Sequence, residues 1–144
     1  GVVISETAWE SSGSGDAKTF LVPKWQMGIV PNDRRATVDV ALNAGFSSGG
    51  YWIRRFGVWE SYGGTSFAAP VFAGLIAVVN SYRADQGLPP VGLLTPVIYT
   101  DALVKASFRD VTMGATDLFA AKKGWDYPTG WGAPRAKKLA DSLP

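Results

Sequence analysis

Residues 67–79, FAAPVFAGLIAVV, run for 13 positions without a charged or hydrogen-bonding side chain. A helix that is apolar on every face cannot rest on a surface, because it needs cover all round. The run is shorter than the roughly 20 residues of a bilayer span, so it reads as a fully buried core helix. The helix is expected to continue to about Gln86, with Gly87 as its stop. Pro70 is tolerable close to the first turn, where backbone donors lack partners in any case.

The rest of the chain supplies shorter elements. Residues 1–34 read as loop-rich, with SSGSGD (11–16) as a flexible turn, and PKWQ (23–26) and PNDRR (31–35) as punctuation. TVDVAL (37–42) reads as a short buried strand bounded by NAGFSSGG (43–50). YWIRRFGVWESY (51–62) reads as two short strands turning at Gly57. TPVIYTDAL (95–103) and PRAKKLADSL (134–143) suggest two further helices. With no internal repeat and 144 residues, a single mixed α/β domain is expected.

Composition narrows the chemistry. With 47% apolar and 18% charged residues the chain is globular in character. The net charge is +2, and AKK (121–123), Arg34-Arg35 and Arg54-Arg55 are scattered, so no nucleic-acid stripe is expected. No membrane partner is expected either. There is no cysteine and no histidine, which removes disulfides and thiol nucleophiles and makes zinc unfavourable. A serine nucleophile here would need a carboxylate, a lysine or another polypeptide as its base. The opening GVVISETAWE has no Met, no basic leader and no signal-like block, and reads as a piece cut from a longer product.

Directly before the apolar run stands SYGGTSFAAP (61–70). Two glycines let a second backbone approach closely. A hydroxyl at a helix start has two possible uses. It can cap the helix by accepting from a backbone N–H. It can also act as a nucleophile whose oxyanion is stabilised by the free N–H groups and the helix dipole.

The string GGTSFAAP resembles the Gly-Thr-Ser-x-x-x-Pro signature around the nucleophile of the subtilisin-like clan of serine peptidases. Glycine before Gly-Thr-Ser, together with the missing histidine, is more similar to the sedolisins, the serine-carboxyl peptidases. ETAW (6–9), a Gly/Ser turn and PKWQ resemble the stretch preceding that family's nucleophile. FRDVTMG (108–114) followed by GWDYPTGWGAP (124–134) resembles its C-terminal calcium-binding region.

The resemblance implies that residues 1–144 are the C-terminal portion of a subtilisin-like parallel-sheet α/β domain, with a buried helix after the nucleophile. It makes Ser66 the nucleophile, with its own N–H as an oxyanion donor, and sets Gly64 and Thr65 against the substrate. It implies one structural calcium ion held by Asp110 and Asp126, with carbonyls of Val111, Lys122 and Gly124 completing the protein share. Lys122 departs from the family's usual glycine, although a carbonyl ligand needs glycine only where φ is positive. The family's base glutamate, its orienting aspartate and its oxyanion aspartate all lie upstream of ETAW. Glu6, Glu10 and Glu60 match none of these and read as surface or structural carboxylates, and Asp16 reads as a loop aspartate. The implied partners are an upstream segment of the same precursor and a peptide or protein substrate. The implied setting is secreted, with an acidic optimum. A fragment of a histidine-using subtilase and a non-catalytic binding module with Ser66 as a helix cap stand as alternatives.

Overall fold

The structure, a computed structural model, describes residues 3–46 and 49–144. Ser47 and Ser48 of the expected 43–50 turn, and Gly1 and Val2 of the opening, lie outside the described residues. The element order is β1 (Gly15–Leu21), β2 (Arg34–Thr37), β3 (Tyr51–Arg55), β4 (Val58–Tyr62), α1 (Thr65–Asp85), α2 (Leu94–Thr100), α3 (Ala102–Lys105), β5 (Phe108–Arg109), β6 (Ala133–Pro134) and α4 (Ala136–Ser142). The strands form antiparallel pairs, β1 with β2, β3 with β4 and β5 with β6.

A parallel sheet is therefore not formed among the described residues. The expected strand at 37–42 keeps only Thr37 in β2. Beyond it the chain is bonded to the C-terminal loop: the Val38 N–H donates to the Tyr127 carbonyl, the Trp131 N–H to Asp39, and the Ala41 N–H to Gly132. These irregular bonds satisfy the backbone without building a ladder, and a parallel ladder needs a neighbour brought in by a crossover. Gly132 (φ +91) belongs to this junction, because a Cβ there would stand 2.0 Å from the Arg109 carbonyl oxygen.

The front of the chain is more regular than expected. Gly15 and Asp16 begin β1 instead of ending a flexible turn. Asp16 is a strand residue whose carboxylate accepts from the Tyr127 hydroxyl at 2.8 Å and the Asn32 amide at 2.5 Å. Burial, and then the Asp16 carboxylate, push the Tyr127 hydroxyl up to about 12. The expected helix at 95–103 is broken at Asp101, whose carboxylate caps α3 by accepting from the N–H groups of Leu103 and Val104. The hairpin at 51–62 pairs in full register around Phe56 and Gly57. The C-terminal helix forms as α4.

Helix α1 is the largest correction. It begins two residues earlier than expected, at Thr65, and buries only Val79 and Arg83. One stripe, Phe72, Leu75, Ile76 and Val79, meets the core, at the spacing of a single helix face. Val71, Val78 and Tyr82 remain open to solvent. The rest of this chain covers one side of a helix that is apolar on all sides. At 21 residues α1 is also long and apolar enough to cross a membrane by length and composition, which the 13-residue run did not suggest. Arg83, however, is anchored in the protein: it donates to the carbonyls of Pro89, Leu143 and Pro144.

The core joins α1, α2, α4 and the C-terminal loop through Ile98, Val104, Trp125 and Leu139. At its edge Gln26 is fully buried, donating to the Ala36 carbonyl and the Tyr99 hydroxyl and accepting from the Ala36 N–H. Burial first, and the Asp39 carboxylate next, hold the Tyr99 hydroxyl well above the usual tyrosine range. Gln26→Leu should leave the buried Ala36 N–H without its acceptor, the carbonyl keeping the Arg35 guanidinium, and destabilise the fold by about 1–3 kcal/mol. Urea unfolding of the two proteins measures this, and an unchanged midpoint would show that the network is not structural.

Candidate functional site

The approach to α1 is fixed by glycine. A Cβ on Gly63 would stand 2.6 Å from the Ala44 carbonyl oxygen, so the GGTS backbone lies directly against residues 44–46. Gly64 has φ +123, takes the N-cap position, and donates its N–H to the Ala44 carbonyl at 2.7 Å. A side chain at Gly64 would strain that conformation.

No side chain caps the helix. Thr65 and Ser66 are its first two residues, past the position from which a hydroxyl caps, and both are exposed. Among the described residues the Ser66 hydroxyl meets no hydrogen-bond partner, and the N–H groups of Thr65 and Ser66 meet no backbone acceptor. Those N–H groups stand at the positive end of a 21-residue helix with no acidic residue in its first turn. Pro70 has no N–H to give the Ser66 carbonyl, so this turn is held less tightly than the rest of the helix. The arrangement offers an exposed hydroxyl beside an unoccupied donor, and no carboxylate of the described residues reaches it.

A cleft of about 1130 Å³ runs from Thr65, Ala68 and Phe72 of α1 to the extended stretch containing Asp39 and Ala41. Its walls are mainly apolar side chains and backbone. Asp39 is engaged at one end, accepting from Tyr99 at 2.8 Å and pairing with Arg35 at 2.6 Å.

The five residues named for a metal converge at one loop junction. The Asp110 carboxylate accepts from the Gly124 N–H, and the Asp126 carboxylate accepts from the Lys122 N–H, both at 2.8 Å. Asp126 is 1% exposed and also accepts from the N–H and hydroxyl of Thr129. The Thr129 hydroxyl lies 3.4 Å from the Val111 carbonyl. Gly124 has φ +80, a conformation that suits glycine, whereas Lys122 is not among the residues with positive φ. Lysine is therefore sterically acceptable at position 122. No cluster of three or more His, Cys, Asp or Glu occurs among the described residues, so a cation here would rely on backbone carbonyls as well as the two aspartates. An all-oxygen set of this kind suits calcium. Thr129 was not singled out by sequence. Its only signal was its place in DYPT, three residues after an aspartate, where an Asx-type turn forms.

Glu6 forms a bidentate ion pair with Arg109, which ties the ETAW stretch to FRDV. That fits a structural carboxylate. The Glu60 carboxylate accepts from the Tyr62 hydroxyl at 2.7 Å, on the exposed hairpin.

No family model matches the chain. It is 37% identical over 157 aligned residues to tripeptidyl-peptidase 1 of Canis lupus familiaris, covering 92% of this chain and 27% of that protein. It is 33% identical to kumamolisin of Bacillus sp. (strain MN-32) over 99% of this chain and 28% of that protein. It is 33% identical to physarolisin of Physarum polycephalum over 90% of this chain and 26% of that protein. Among solved structures, a Pseudomonas sedolisin, a serine-carboxyl proteinase complexed with two molecules of pseudo-iodotyrostatin, superposes with TM-score 0.78 at 28% identity. That match covers 95% of this chain and 40% of that one. The fold is thus that of the subtilisin-like serine-carboxyl peptidases. The chain belongs to the sedolisin family, and it spans about a quarter of the length of the curated relatives it matches.

Proposed function

We propose that residues 1–144 are the C-terminal portion of the catalytic domain of a sedolisin-type endopeptidase, contributing the nucleophile Ser66 and a structural calcium site. The observation that carries this reading is the uncapped start of α1, where an exposed serine hydroxyl stands beside free N–H groups. The Ser66 oxygen attacks the scissile carbonyl, its proton passes to a carboxylate, and the oxyanion accepts from the Ser66 N–H. Gly64 and Thr65 flank the substrate backbone.

The base comes from an upstream segment of the same precursor. Supporting this, no described carboxylate bonds to Ser66, and most of α1 and the adjoining cleft lack cover. The same segment adds the parallel strands beside residues 37–45 and covers the open faces of α1. The base carboxylate must be ionised while the oxyanion aspartate of the same segment stays protonated to donate, and both conditions hold together only in acid, so activity is highest at acidic pH. A peptide or protein is the substrate, and the setting is secreted, as for an enzyme released from a precursor. The calcium ion is held by Asp110 and Asp126 with carbonyls of Val111, Lys122 and Gly124; it supplies a fixed positive charge that pins the two loops.

The test compares the 144-residue chain with the full-length gene product that contains it, on an unfolded protein substrate between about pH 3 and 8. The full-length product should hydrolyse it best in acid, and the chain alone should show no turnover. Robust turnover by the chain alone, lost in Ser66→Ala, would overturn the requirement for an upstream base. Absence of hydrolysis by the full-length product at every pH would overturn the peptidase reading.

A further inference from the structure

The hairpin β3–β4 has an outer half that neither the catalytic proposal nor the core uses. Among the described residues its engaged part is the base, where Tyr51 and Tyr62 stack on Phe67 at ring-centroid distances of 5.5 and 6.0 Å. Beyond that base, Trp52 is 66% exposed, Val58 61%, Trp59 62% and Phe56 91%. A short hairpin with four large apolar side chains in water is costly unless something covers them.

Register sorts these side chains. Arg54 stands opposite Trp59 and Trp52 opposite Ser61, so Trp52, Arg54 and Trp59 share one face. Arg55 stands opposite Val58 and Ile53 opposite Glu60 on the other face. Each face therefore carries apolar surface and one arginine. Neither arginine forms an ion pair among the described residues. The Glu60 carboxylate accepts from the Tyr62 hydroxyl, which in turn accepts a long bond from the Arg55 guanidinium at 3.5 Å.

The turn itself runs against local preference. Phe56 has φ +48 at the first turn position, where asparagine or glycine is favoured, followed by Gly57 at φ +83. Its ring points outward with the Arg55 guanidinium 4.9 Å from the ring centre. An aromatic residue held in a strained turn and 91% exposed is a pointer to use.

We propose that residues 54–59 dock on an anionic lipid surface. A second copy of the hairpin would set arginine against arginine. An acidic peptide would pair the arginines and leave Phe56, Val58 and Trp59 in water. An anionic bilayer interface satisfies both, since arginine meets the headgroups, tryptophan prefers the interfacial layer and phenylalanine enters the acyl boundary. This revises the expectation of no membrane contact, and the contact is peripheral. The strands rise about 3.3 Å per residue, so five residues separate tip from base by roughly 17 Å. Ser66, four residues past Tyr62, is then held close to the lipid surface.

The experiment uses the full-length gene product and its Ser66→Ala variant, sedimented with vesicles of phosphatidylcholine alone or with about 30% phosphatidylserine. Both proteins should bind the phosphatidylserine vesicles at least about fivefold better than the neutral ones, with tryptophan emission shifted to the blue. Binding is independent of catalysis, so a failure of the peptidase reading would leave this result unchanged. Phe56→Asn suits the turn and should keep the thermal midpoint while lowering vesicle binding about tenfold. Arg54→Gln with Arg55→Gln should erase the preference for phosphatidylserine. Equal binding by Phe56→Asn, no binding to either vesicle, or capture by heparin beads that Phe56→Asn leaves unchanged would each overturn the proposal.

Discussion

Ser66→Ala should lower kcat of the full-length gene product by about 10⁵- to 10⁶-fold with KM nearly unchanged. The expected size follows from the role. Removing the oxygen that forms the acyl-enzyme removes every step that depends on it, and what remains is binding and oxyanion stabilisation. Packing changes little, because the side chain is exposed and touches no hydrogen-bond partner among the described residues. The thermal midpoint should therefore stay put, which separates loss of chemistry from loss of fold. Thr65→Ala is the control: its hydroxyl lies one residue away, equally exposed, and its removal should cost far less. If the two variants lost activity equally, Ser66 would not be the nucleophile. If Ser66→Ala kept wild-type activity, the uncapped start of α1 would have only a structural meaning.

What the sequence disclosed, and what it withheld, divides along the range of the interactions. The hairpin at 51–62 was legible because its turn and its two strands are neighbours in sequence. The start of α1 was legible because glycines and hydroxyls before an apolar run have a local meaning. β1 was not legible. Its partner lies across the PKWQ turn, and Gly15-Asp16 reads locally as a loop although it pairs with Ala36 and Thr37. Residues 38–42 read as a strand from their side chains, yet their hydrogen bonds depend on the loop at 127–132, some ninety positions away. The apolar run signalled the need for cover but not where the cover resides; this chain supplies it on one stripe only. Among the site residues, Asp126 gave no local sign that it would be sealed in the interior.

That burial makes Asp126 the most sensitive position of the proposed calcium site. Its two carboxylate oxygens accept three hydrogen bonds, from the Lys122 N–H on one oxygen and from the Thr129 N–H and hydroxyl on the other. Asparagine cannot substitute for it, because its NH₂ group would face either a backbone N–H or the Thr129 donors. Asp126→Asn and Asp126→Ala should both destabilise the full-length product by about 3 kcal/mol, which in a protein some four times the length of this chain lowers the thermal midpoint by roughly 3 °C even without calcium. Asp110 differs. It is exposed and accepts a single bond from the Gly124 N–H, which an asparagine oxygen can also receive. Asp110→Asn should thus fold almost normally in chelator and lose only the response to the ion. Calcium binds the folded site and not the unfolded chain, so at about 100 times its dissociation constant it should add about 2.7 kcal/mol to the wild type. Chelation at neutral pH, followed by thermal unfolding with and without added calcium, reads all three proteins. The expected pattern is a calcium-dependent midpoint for the wild type, a midpoint that ignores calcium for Asp110→Asn, and a low midpoint in either condition for Asp126→Asn. A wild-type midpoint indifferent to both chelator and calcium would reduce Asp110 and Asp126 to backbone ties, and the lysine at 122 would then stand where a ligand site had been lost.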